Sequence, residues 1–140
     1  MAKREDIVKE IVKLLKAQRT VKLGRVVRDP VLPEQLPKTA FPCLFIETTD
    51  AEFEEIAMGV SNLRECLMDV VMTIIIGGRN RDTQKNIAIE AIEATLGVDP
   101  TLGGKCKNCF LTRIESIAAQ EAEPYSSCKI VFQVNYCYTL

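Results

Sequence analysis

The segment Cys106-Lys107-Asn108-Cys109 is the one stretch of this sequence with the spacing of a metal-ligand pair. Structural zinc takes four tetrahedral ligands, commonly from two such pairs, and the other four cysteines (43, 66, 128 and 137) supply no second pair. Cys128 and Cys137 lie nine residues apart on one strand-like segment, which separates them by about 30 Å and puts them on opposite faces. A hairpin centred near Ala122 would bring Cys137 toward Cys106 and Cys109. That makes at most three ligands, or a disulfide from Cys137 to either of the other two. A redox role fares worse, because the motif precedes a strand instead of opening a helix, whose positive end would lower a thiol pKa. The expectation is no metal and no cofactor.

Two charged groupings come next. Asp50, Glu52, Glu54 and Glu55 form an acidic stretch. Paired carboxylates can bind Mg²⁺ or serve as acid and base, but they can equally be a solvated loop, or a surface that repels DNA and lets it slide past. Arg79 and Arg81, with Lys105 and Lys107, could contact phosphate or could simply be exposed turn charges. There is no histidine in the chain. That removes the commonest general base and every Ser-His, Cys-His or His-based metal arrangement. Nor do the glycine-rich phosphate loops or the HExxH pattern occur. The chain reads as a non-enzyme.

The elements that must position these residues are legible by period. Ile7, Val8, Ile11, Val12, Leu14 and Leu15 fall on one face of a helix over 5–18, with Lys9, Glu10, Lys13 and Lys16 opposite. Residues 20–28 suggest a short strand. The stretch 29–42 carries Pro30, Pro33, Pro37 and Pro42 and is expected to be an extended arm, because proline cannot donate to a ladder. Strands are expected over 43–49 and 63–76; the second would be about 45 Å long and would project from its domain. Residues 50–62 between them would extend that hairpin or form its tip. A second helix should start at a cap on Asp82 or Thr83 and run to Leu96, with Gly97 in the left-handed position after it. Strands over 110–118 and 128–138 close the chain, the last showing clean alternation from Cys128 to Tyr138. The order is α-β-loop-β-β-α-β-β. An α+β fold with a mostly antiparallel sheet and both helices on one face follows.

Length and composition agree with a single domain spanning 1–140. Hydrophobic residues make up 47% and charged residues 26%, with a net charge of −1, so neither wholesale disorder nor a nucleic-acid grip is indicated. No apolar run reaches the roughly 18 residues of a membrane span, and the N-terminus shows no apolar signal core. The expectation is a cytoplasmic protein with its cysteines reduced and no membrane partner.

The element order and several segments resemble the tail terminator (tail-completion) proteins of lambda-like long-tailed bacteriophages. The residues that carry the resemblance are the amphipathic N-terminal helix, the strand Phe41-Pro42-Cys43-Leu44-Phe45-Ile46, and the acidic Thr48-Thr49-Asp50-Ala51-Glu52-Phe53-Glu54. The long strand 63–76, the helix after it and the closing Tyr136-Cys137-Tyr138-Thr139 complete it. The resemblance implies a structural virion protein: a hexameric ring that caps the tail tube, stops its polymerisation and joins it to the head. Its partners would be copies of itself, the tail tube protein, a head-completion or neck protein, and genomic double-stranded DNA passing through the lumen. On that reading Asp50, Glu52, Glu54 and Glu55 would face the lumen. Leu32, Leu36, Phe53, Ile56, Met58, Arg79 and Arg81 would meet neighbouring subunits or partners. The protein would be assembled in the host cytoplasm and reside at the virion's tail or neck. A head-completion or neck connector, or a non-viral α+β binding subunit, fits the same pattern of elements.

Overall fold

The computed structural model describes residues 3–29, 41–55, 63–116 and 125–139. Helix α1 (Lys3–Ala17) is followed by strands β1 (Arg25–Val27), β2 (Cys43–Glu55) and β3 (Leu63–Gly77). Helix α2 (Arg81–Gly97) then leads to β4 (Asn108–Ser116) and β5 (Tyr125–Thr139). The five strands form one sheet in the order β1-β2-β3-β5-β4. Only the β1–β2 pair is parallel. This is the α+β architecture expected from the periodicities, in the expected order.

The centre of the sheet is its most regular part. β3 and β5 pair over fifteen positions, from Leu63↔Thr139 to Gly77↔Tyr125, without a break in register. Fifteen residues of strand span about 50 Å. Even-numbered positions of both strands face the helices: Cys66, Met68, Val70, Met72 and Ile74 are sealed from solvent, as are Ile130 and Val134. They form one cluster with Ile7, Val8, Ile11 and Leu15 of α1 and with Ala88, Ile89, Ile92 and Leu96 of α2. The period of 3.6 in the helices and of 2 in the strands converge on the same layer. Each of those large side chains contributes roughly 1.5–3 kcal/mol on burial, which is what holds the helices on this face.

Both outer strands carry a bulge near mid-length. In β2 the register shifts between Thr48 and Ala51, and in β4 between Leu111 and Arg113. A bulge resets the alternation. Before it Leu44 and Ile46 of β2 point to the helices; after it Ala51 and Phe53 lie opposite Met68 and Cys66 on that same face. Thr112, the extra residue of β4, donates its hydroxyl to the Val131 carbonyl at 3.1 Å.

Three local expectations are corrected. The cap of α2 is Asn80, in the left-handed region at φ 56°, and not Asp82 or Thr83. The turn Gly77–Asn80 places Asn80 directly before the first helical residue, and asparagine tolerates that conformation. Gly97 is the last residue of α2, and Val98 after it remains right-handed. The left-handed residues come later, at Leu102, Gly103 and Gly104. Finally, the strand suggested over 20–28 is reduced to Arg25–Val27. The arm at 30–40 and the hairpin tip at 56–62 lie outside the described residues.

Candidate functional site

Covering one face with helices leaves the other to odd-numbered positions of β3 and β5. At the end near Gly77 this face is plugged. The Phe41 ring stacks on Tyr125 with centroids 5.5 Å apart, and a Cβ on Gly77 would come within 3.3 Å of the Phe41 ring, so only glycine fits without displacement. Cys43 and Ile75 are buried nearby. Beyond the plug lies an open depression of about 400 Å³, crossing the sheet from Phe45 and Glu47 through Val71 and Val131 to Arg113. It mixes charges of both signs with aliphatic side chains.

The acidic stretch continues β2 as a strand and so extends the hairpin, one of the two arrangements expected for it. β2 stays paired with β3 out to Glu54↔Glu65 and Glu55↔Arg64. Asp50 sits within the bulge. Glu52 is exposed and, with Glu65 and Leu67, lines a smaller depression of about 210 Å³ on the helix-free face. Phe53 takes the next position and so the opposite face. It is half-exposed, meets Tyr138 edge-on at 6.4 Å, and carries the Arg64 guanidinium 5.6 Å above its ring. Tyr136 lies 5.9 Å from Tyr138 and is buried, which pushes its phenol pKa up. Phe53 therefore belongs to an aromatic corner at the far end of the helix-bearing side.

The cysteines do not converge. Cys109 pairs with Val134 and faces the helices, whereas Cys137 is on the opposite face, its Sγ 4.0 Å from Glu65 Oε2. The sheet stands between them. Lys107 bonds the same carboxylate oxygen at 2.6 Å, and that hydrogen bond is the main reason its pKa is raised. Cys106 is a packing residue. Its loop is drawn tight by Asp99, whose carboxylate accepts bonds from the Thr101 hydroxyl at 2.6 Å, the Thr101 amide at 3.1 Å and the Gly103 amide at 2.9 Å. Those bonds hold the Asp99 pKa down. The loop presses Leu102 and Cys106 into the core. Burial pushes the Cys106 thiol to about 11 and the Cys109 thiol to about 12, the reverse of what a metal ligand or redox thiol requires.

The four cations likewise separate. Arg79 and Arg81 precede and open α2, at the Gly77–Tyr125 end of the sheet. The Lys107 amide bonds the Asn135 carbonyl, ten residues or about 33 Å along β5 from Tyr125. Lys105 and Lys107 are engaged with Glu10 at 3.7 Å and Glu65. Leu32, Leu36, Ile56 and Met58 lie outside the described residues.

What sequence reasoning missed is the pair of sheet edges. β1 pairs with β2 only at Cys43–Phe45. Among the described residues no strand pairs with β2 from Ile46 onward, or with the outer side of β4. Phe110 and Ile114 of β4 are each 48% exposed beside that edge. Strand order decides which strands are edges, and no local residue pattern reveals it. Among the described residues no helix is long and apolar enough to cross a membrane.

No protein-family model and no curated protein matches the sequence. Among solved structures, the fold is similar to that of a chain in the virion of a native gene transfer agent particle. The match has a TM-score of 0.50 and 11% identity, and covers 89% of this chain and 90% of that one. At such identity the likeness is one of fold.

Proposed function

We propose that this protein is a structural subunit of a phage-like virion, and that it forms the tail-terminating ring. The observation that carries the reading is the near full-length likeness to a virion chain, 89% of one against 90% of the other. The likeness runs over most of both chains, which supports reading this fold as that of a virion subunit. The two edges left unpaired among the described residues support binding to neighbouring subunits. Copies would close into a hexamer, cap the tail tube, stop its growth and present a second surface to a head-completion or neck protein. The acidic end of the sheet, with Asp50, Glu52, Glu54 and Glu55, would line a lumen that carries DNA without holding it.

Native mass spectrometry tests this directly. A six-copy species is expected for the purified protein at high concentration. A protein that stays monomeric at every concentration would overturn the ring.

A further inference from the structure

The sheet's two edges are complementary to each other, which bears on how neighbouring copies meet. This inference rests on the ring reading above and specifies its junction. We infer that the outer edge of β4 in one copy pairs antiparallel with the free edge of β2 in the next, with Arg113 set against the carboxylates of β2.

Direction comes first. β2 runs antiparallel to β3, β3 to β5, and β5 to β4. Three reversals leave β4 antiparallel to β2. Copies related by rotation about a common axis keep the same orientation, so a β4 edge brought beside the next copy's β2 edge meets it in the antiparallel sense. The sheet continues across the boundary without inverting a subunit, as a head-to-tail ring contact requires. Length agrees as well: β4 has nine residues, and β2 beyond its β1 partner runs from Ile46 to Glu55.

The side chains agree row by row. Following the registers across the sheet, Glu47, Val71, Val131 and Arg113 form one row. Both ends of that row line the helix-free depression. The next row, on the helix-bearing face, runs Ile46, Met72, Ile130 and Ile114. Continued into a neighbour, the first row sets Arg113 beside Glu47 and the second covers the half-exposed Ile114. β1 already fills the rows of Leu44 and Phe45. Clearing it takes a slide of two residue pairs, which keeps each side chain on its own face. Arg113 then lies between Glu47 and Glu52 on that face, with Glu115, its present ion-pair partner, opposite Glu47. Arg113 is free to take up such a partner, since its bond to Glu115 at 3.2 Å is solvent-exposed and exposed pairs of this kind hold weakly.

Charge also selects against the alternative. Two β2 edges laid together would oppose carboxylates with carboxylates, which is destabilising for directly facing residues. Bulges on both outer strands discourage indiscriminate pairing, so the fit depends on the right partner edge.

The test uses two charge variants of the full chain, R113E and the double variant E47R/E52R, with native mass measured over a concentration series. All three positions carry solvent-exposed or half-exposed side chains, and circular dichroism and melting temperature should match the wild type. Each variant alone should need at least roughly tenfold more protein to assemble. Mixed one to one, the two should assemble within about threefold of the wild-type concentration, because every junction of an alternating ring again joins opposite charges. Variants that assemble like the wild type would overturn the junction while leaving the ring standing. So would folded variants that fail to assemble even when mixed. A wild type that never assembles would remove the ring, and the junction with it.

Discussion

The two faces of the sheet are made by the same strands, yet they have different physical jobs. On the helix-bearing face, successive even positions of β3 and β5 are sealed and continuous with both helices. On the other, Val71 and Gln133 are half-buried, Lys129 is exposed, and charges of both signs surround an open depression. The open face is itself uneven: Cys43, Thr73, Ile75 and Val131 are buried there, whereas Val71, Gln133 and Lys129 reach solvent. Stability is concentrated on one side, which leaves the other side and the edges available for recognition.

The sharpest way to break that contrast is within β5. Phe132 is 1% exposed and Gln133 beside it faces the open side. Phe132→Ala should cost about 3–5 kcal/mol in denaturant melts, whereas Gln133→Ala should stay within about 0.5 kcal/mol. Equal costs would mean that the open face is a second core. A smaller effect sharpens the same comparison through the thiols. Cys137, on the open face, should be alkylated by iodoacetamide at pH 8 at least about tenfold faster than buried Cys106 or Cys109, as read by peptide mass spectrometry. The two buried thiols also set an alkaline limit. Their folded pKa values, about 11 and about 12, lie above the ordinary 9.0. The unfolded chain therefore loses those protons first. Stability from this source is intact below about pH 9 and declines as pH rises toward 11–12. Cysteine-to-alanine substitution at Cys106 should flatten that decline in pH-dependent melts.

Where the sequence was informative, one period ran unbroken. The helix-facing alternation of β5 was legible from Cys128 to Tyr138, and the helical stripe of α1 from Ile7 to Leu15. β2 was cut short because two signals misled together. The bulge after Thr48 resets its alternation, and the carboxylates that follow have low strand propensity. Pairing with β3 overrides that propensity. The Cys106/Cys109 motif gave a true neighbourhood. The hairpin geometry did bring Cys137 to the same end of the sheet, but side-chain parity, with Cys109 on one face and Cys137 on the other, keeps the thiols apart. Arg113 and Glu47 carried no sequence signal at all. Their meaning depends on a shared row across four strands, which exists only once the topology is known.

The proposal that this protein caps an assembly is tested most directly by electron microscopy of the protein mixed with growing tail tubes of a phage-like particle. The account predicts a ring at one end of each tube and tubes that stop lengthening when the protein is added. Tubes that grow to the same lengths with no density at either end would contradict it.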